Sequence, residues 1–293
     1  MTTLLSAWLS GIGLGSMYGL MALGFYVTHE VSGTVNFAQG SAMMLGAVFA
    51  FAFAQVLGWP MPVAVLLALA LCAAYGLAVE LLAVRPFSSR GSNGWLIGTV
   101  ALGIIVDNVV LFTFGKEPRS LPSPLAASPL SIGELGLGVY PLQLLIPVLG
   151  IALAGVLAVL SRRTRWGVAM LAVVQNRDAS RLVGIPIRRA VALAYALSAL
   201  LAGVAGVLIA PLLNVSAGMG TLFGLKAFAV AILGGIGNPW GMVLAGLIFG
   251  IVESFITATL GSSYTQIISF SLVIVVLAIR PDGLFGRAEV RKV

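Results

Sequence analysis

Of the 293 residues, 60% are hydrophobic and 9% charged, with a mean hydropathy of +1.10, far below the quarter of charged side chains usual in soluble domains. This composition excludes a soluble domain and predicts a polytopic integral membrane protein. The formal charge of +7 does not indicate nucleic acid, because the basic residues cluster beside apolar runs, where membrane topology accounts for them.

The first apolar run, 4–27, carries Gly11, Gly15 and Gly19 at four-residue spacing, a small-residue stripe that permits close helix packing in lipid. No Lys or Arg precedes Arg85, so the positive region of a signal peptide is lacking and this span is expected to be retained. Residues 29–40 are polar and contain glycine between two apolar runs, which predicts either a tight loop or a broken helix entering the membrane. Runs 41–57 and 60–84 follow. The sole cysteine, Cys72, lies inside the second and reads as a buried structural thiol. Arg85 and Arg90 mark a cytoplasmic end, and run 94–115 then carries Asp107 and Asn108. Residues 116–139, with four prolines and balanced charge, read as the longest external loop.

Run 140–160 leads into 161–189, which holds seven of the sixteen basic residues: Arg162, Arg163, Arg165, Arg177, Arg181, Arg188 and Arg189. So basic a loop should lie in the cytoplasm. Within it the spacing predicts a short helix: Asn176 as N-cap, about two turns over 177–183, Gly184 just past the end and Pro186 preventing continuation. Ala179, Leu182 and Val183 share one face, while Arg177 and Arg181 stack on another. A helix this short falls well below the roughly 12 to 15 residues at which isolated helices hold in water, so it needs a surface to lie on. Lipid headgroups and a groove on a partner protein are the two candidates.

Run 190–213 leads out of the loop. Run 221–235, which ends in Gly234 and Gly235, is shorter than the roughly 20 residues an upright span requires, and Gly237, Asn238 and Pro239 follow, predicting a second short or broken span. Runs 242–260, with Glu253, and 264–279 complete the membrane part. Arg280, Arg287, Arg291 and Lys292 place the tail 280–293 inside. The reading is an all-α polytopic protein of about 8–10 transmembrane segments in a single domain, 1–293. Counting nine segments puts the N-terminus outside, and a re-entrant segment would change that parity.

The sequence has no G-x-x-x-x-G-K-[ST] run and no H-E-x-x-H, with one histidine and one cysteine. It therefore offers no nucleotide loop, metal set or activated nucleophile, and reads as non-catalytic. Asp107 and Glu253 are acids within spans, with Lys226 closer to a span end. Each acid costs about 2.5 to 3.5 kcal/mol at mid-bilayer, so each should face protein or a wet cavity. Hydrogen-bonded helix glue is favoured over an ion relay. Asn36, Gln39, Asn108 and Asn238, polar where the backbone breaks or the span is interrupted, are the better candidates for lining a pathway. Asn36 leads to Gly46 and Asn238 to Gly246, a hint of paired broken elements in two halves, as at transporter midplane sites.

The segment GSMYGLMALGFYVTHEVSGTVNFAQGSAMMLGA, residues 15–47, closely resembles the signature of permease subunits of Liv-type ABC importers for branched-chain amino acids. So do NRDASRLVGI at 176–185, KAFAVAILGGIGN at 226–238 and RPDGLFGR at 280–287. The likeness runs through the chain in order and is strongest to the H-type permease. In such importers a loop pattern similar to E-A-A-x-x-x-G docks into the ATPase. Asp178, Ala179, Ser180 and Gly184 occupy those positions here, with Asp for Glu and Ser for the second Ala. The resemblance implies that Asn176 through Gly184 form a coupling helix. It also implies a multi-pass location in the bacterial inner membrane, in contact with lipid and without nucleic acid. The implied partners are an M-type second permease, two cytoplasmic ATPases that bind ATP and Mg, and a periplasmic solute-binding protein. Urea, short amides or other amino acids are alternative solutes. An ATP-independent transporter centred on Asp107 or Glu253 is the distant alternative.

Overall fold

A computed structural model describes residues 2–88, 93–132 and 135–286. Arg90, Arg287, Arg291 and Lys292, four of the expected topology markers, lie outside these described residues. Helix α1 (Thr2–Ser32) ends at Gly33, whose φ of +69° lies in the left-handed region that glycine enters without a Cβ penalty. Helix α2 (Gln39–Phe51) continues into a π turn over Ala52–Val56, and α3 (Met61–Val79) into another over Glu80–Val84, followed by α4 (Arg85–Ser88). Helix α5 (Gly94–Phe114) comes next. Glu80, buried in the second π turn, is held by both Nε (3.1 Å) and Nη2 (2.8 Å) of Arg85, which neutralises its charge.

The segment expected to be an external loop contains a hairpin, β1 (Leu130–Ile132) paired antiparallel with β2 (Leu135–Val139). It is the one departure from an all-α fold among the described residues. Leu, Gly, Leu, Gly and Val over 135–139 alternate with the two-residue period of a strand. Arg119 fastens the start of the same segment: its backbone bridges that of Val215, and its guanidinium lies 4.6 Å from the Phe114 ring centroid.

Helix α6 (Pro141–Arg163) runs into the basic region, which is not a loop throughout. Thr164 caps α7 (Arg165–Gln175) by accepting the Gly167 N–H at 3.0 Å, and α8 (Arg177–Leu182) follows. The arginines dominate the character of 161–189 and conceal the apolar run between Trp166 and Val174 that α7 uses. Helices α9 (Ile187–Leu213), α10 (Met219–Gly234), α11 (Pro239–Leu260) and α12 (Ser262–Ile279) are the remaining helices of the described residues. Among the described residues, eight helices are long and apolar enough to cross a membrane, and α10 is a shorter apolar helix.

The chain divides into two compact units, one of residues 1–26, 122–151 and 226–293, the other of 27–121 and 152–225. In the first, the α1 glycine stripe meets glycines of α11. A Cβ on Gly15 would stand 2.5 Å from the Gly246 carbonyl, and one on Gly11 would stand 2.6 Å from the Ile251 Cα. Close backbone approach of this kind drives helix association where lipid tails remove any hydrophobic gain. The second unit is organised alike around α2, α3 and α9. Gly46 lies against the Gly203 backbone, Gly206 against the Met43 carbonyl and Gly76 against that of Tyr195. Cys72 is buried beside Gly203, and its thiol donates to the Ala42 carbonyl at 3.6 Å.

Gly46→Val or Gly250→Val should therefore destabilise the protein by about 1–3 kcal/mol through overpacking, read as a lower thermal midpoint in detergent. Gly155→Ala is the control. Nothing lies within 4 Å of a Cβ there, so the midpoint should hold or rise, by up to about 1 kcal/mol of helix propensity.

Candidate functional site

Helix α8 begins where Asn176 Oδ1 accepts the N–H groups of Asp178 (3.1 Å) and Ala179 (2.9 Å), satisfying two of the donors a helix start leaves open. It ends at Val183 and Gly184, whose φ is +80°. The Gly184 N–H bonds to the Arg181 carbonyl and that of Ile185 to the Ser180 carbonyl, a glycine-based C-cap. Ser180 alone on this helix is buried. Ala179, Leu182 (90% exposed) and Val183 (76%) form an apolar face that the chain leaves uncovered. Asp178 and Arg181 make an exposed pair at 3.4 Å, of the kind worth at most about 1 kcal/mol. Arg177 points elsewhere: its Nη2 donates to the carbonyls of Val31 (3.3 Å) and Ser32 (3.4 Å), in the last turn of α1.

Between α1 and α2 the chain is broken and buried. Asn36 Oδ1 accepts the Ala38 N–H at 3.1 Å, and the Gln39 N–H bonds to the Asn36 carbonyl, so the polar turn starts α2. Gln39 is wholly buried and reaches α9: Nε2 donates to the Ser198 carbonyl (3.1 Å), while Oε1 accepts the Ser198 hydroxyl (2.7 Å). Tyr195, one turn earlier on α9, bonds Thr34 Oγ1 at 2.7 Å. Asn36 and Gln39 are thus joined in one hydrogen-bonded knot with α9. The α9 partners Tyr195 and Ser198 carried no signal in the sequence beyond being polar residues in an apolar run.

The second break follows a similar plan. Asn238 Oδ1 accepts the Gly241 N–H at 3.1 Å and so caps α11, while its Nδ2 donates to the Phe285 carbonyl at 3.0 Å. Gly235 (φ +80°) and Gly283 (φ +84°) permit the tail to lie against the end of α10, where the Leu284 N–H bonds to the Leu233 carbonyl at 2.7 Å. A Cβ on Gly234 would overlap the Met242 backbone. The motifs at 226–238 and 280–287, far apart in sequence, therefore form one junction over their described residues.

Asp107, half-buried on α5, accepts the hydroxyls of Ser41 (2.7 Å) and Thr221 (2.9 Å), one on each carboxylate oxygen. Asn108 is not joined to this set. It is exposed and donates back to the Ile104 carbonyl of its own helix. Glu253 is buried on α11, where Oε1 takes Lys226 Nζ at 2.5 Å and Oε2 takes the Tyr18 hydroxyl at 3.0 Å. Lys226 is not near a span end: it lies midway along α10 and is buried. The helix starts at Met219, earlier than the apolar run suggests, because Met219 and Gly220 join its first turn. The pairing of Lys226 with Glu253 was not foreseen, although a lysine inside an apolar stretch is itself a signal that a partner exists.

Removing one member of a buried pair strands the other's charge, at about 3–5 kcal/mol. Lys226→Met and Glu253→Leu should each lower the yield of monodisperse protein and its thermal midpoint. The double variant, which buries no charge, should recover most of the loss. Fluorescence-detected size exclusion and melting measure both.

A family profile described as "Branched-chain amino acid transport system / permease component" matches residues 7–277. The high-affinity branched-chain amino acid transport system permease protein LivH of Escherichia coli K12 is 33% identical, over 97% of this chain and 96% of its own length. Its counterpart BraD of Pseudomonas aeruginosa is also 33% identical, with the same shares covered. Among solved structures, PsaBC from Streptococcus pneumoniae in complex with Fab shares the fold, with a TM-score of 0.50 at 15% identity over 96% of this chain and 93% of that one. With eight candidate spans among the described residues, the chain is a multi-pass membrane protein that belongs to the family of branched-chain amino acid transport permease components.

Proposed function

We propose that the chain is the transmembrane permease subunit of an ATP-driven importer in the bacterial inner membrane. It lines a path for branched-chain amino acids together with an M-type second permease. Hydrolysis of Mg-bound ATP belongs to two cytoplasmic ATPases, and a periplasmic solute-binding protein delivers the solute. The observation that carries this reading is α8: a helix capped at both ends, in the most basic segment, with Ala179, Leu182 and Val183 turned to solvent. A two-turn helix holding apolar side chains in water is costly unless a partner covers it. The chain has no phosphate-binding loop of its own, so that partner must bring the nucleotide. The names of LivH and BraD support the solute class.

An ATP-independent transporter is disfavoured at Glu253, because its carboxylate is already neutralised by Lys226 and bonded to Tyr18. Leu182→Asp places a charge in the uncovered face and should abolish copurification of the ATPases, with the size-exclusion profile of the permease unchanged. Retention of the ATPases by that variant refutes the docking role. Uptake of labelled leucine, urea and amides by the complete complex, each with its candidate binding protein, assigns the solute. ATP-dependent uptake of leucine is the expected result.

A further inference from the structure

The N-terminal end of α8 is tied to another helix through one side chain. Arg177, the first residue of α8, places Nη2 against the Val31 and Ser32 carbonyls. These belong to the last turn of α1, whose carbonyls have no intrahelical partner and form the negative end of the helix dipole. A guanidinium there acts as a cationic C-cap delivered from elsewhere in the sequence. At its other end α8 leaves through Gly184, which has nothing within 4 Å of a Cβ position and a positive φ. Among the described residues, it is the arginine that makes a side-chain hydrogen bond from α8 to α1.

The turn that Arg177 grips starts a chain of hydroxyls. Ser32 Oγ donates its single proton to the Thr28 carbonyl at 2.5 Å, so it can only accept from Thr34 Oγ1, also at 2.5 Å. Thr34 Oγ1, having donated, must accept from the Tyr195 hydroxyl at 2.7 Å. The direction is therefore fixed: Tyr195 to Thr34 to Ser32 to the α1 backbone. Four residues beyond Ser32 lie Asn36 and then Gln39, which is bonded twice to Ser198, one turn from Tyr195. Ser32, Thr34, Asn36, Gln39, Tyr195 and Ser198 are all buried, and in a dry site none has water to replace a lost partner.

We propose that Arg177 is a positioning residue that converts displacement of α8 into rearrangement of the α1–α2 break, through the Ser32–Thr34–Tyr195 hydroxyl chain. The idea rests on α8 being the ATPase dock. It adds that the docking face (Ala179, Leu182, Val183) and the transmitting side chain (Arg177) are separate parts of one helix. Docking without transmission is then possible, and the variant that achieves it should hydrolyse ATP without moving solute.

The test uses the complete importer in proteoliposomes, with the second permease, ATPases and binding protein. Arg177→Ala should keep the ATPases bound and hydrolysing, while solute moved per ATP falls about tenfold, a coupling loss within the usual range. Arg177→Lys, which keeps a cation at the α1 carbonyls, should restore much of that ratio. Tyr195→Phe, which removes the first donor of the hydroxyl chain, should lower the ratio with Arg177 intact. A normal ratio in Arg177→Ala overturns the proposal. So does loss of the ATPases from that variant, since Arg177 would then be a docking side chain. If Arg177→Ala fails to accumulate, Tyr195→Phe decides: an unchanged ratio overturns the proposal and a lowered one sustains it. A wild-type complex that never retains an ATPase refutes the docking reading instead, and so marks that failure apart from this one.

Discussion

A backbone group that leaves a helix where the protein buries it has no water to bond, so it must find its partner within the protein. The two interruptions of this chain are built around that constraint. At the first, Asn36 supplies an acceptor for the start of α2 and Arg177 supplies donors for the end of α1. At the second, Asn238 caps α11 and reaches the tail, while the Leu284 N–H satisfies the end of α10. Each break is closed by side chains or backbone from a distant part of the sequence. The breaks are consequently the places where separate elements are obliged to register against one another.

Glycine serves the complementary need. Apolar surface gains little by leaving lipid for protein, so packing must come from dispersion and close approach. Gly15 with Gly246 in one unit, and Gly46 with Gly203 in the other, bring backbones together where any Cβ would collide. Each helix that starts at a break, α2 after the Asn36 turn and α11 after its Asn238 cap, carries a glycine further along that sets its crossing with a neighbour. The same two devices, an asparagine-stabilised start and a glycine contact, recur in the two units.

Acidic side chains are managed by pairing. Glu80 with Arg85 and Glu253 with Lys226 take their partners within reach, and Asp107 is held by two hydroxyls. Each of these carboxylates is thus held by a partner within the fold. The basic segment 161–189 differs: there α8 shows an apolar face beside exposed Asp178 and Arg181. A surface that is apolar at its centre and charged at its rim is how protein interfaces are usually built.

The sequence by itself determined the features that depend on neighbours along the chain. These include the apolar spans, the basic segment between two of them, and α8 with its Asn176 cap and Gly184 stop, because caps and periodicity act within a few residues. The glycine stripe of α1 was legible for the same reason, as a spacing. Only the tertiary structure decided which partner each of these meets. Lys226 and Glu253 are separated by a helix break, and the Ser32–Thr34–Tyr195 chain links residues more than 160 positions apart. Nothing in local spacing encodes such contacts. The hairpin and α7 were missed where proline and arginine content masked short periodic runs. Arg177 marks the limit most clearly: composition assigns it to a topological charge cluster, and only the fold brings it to the end of α1.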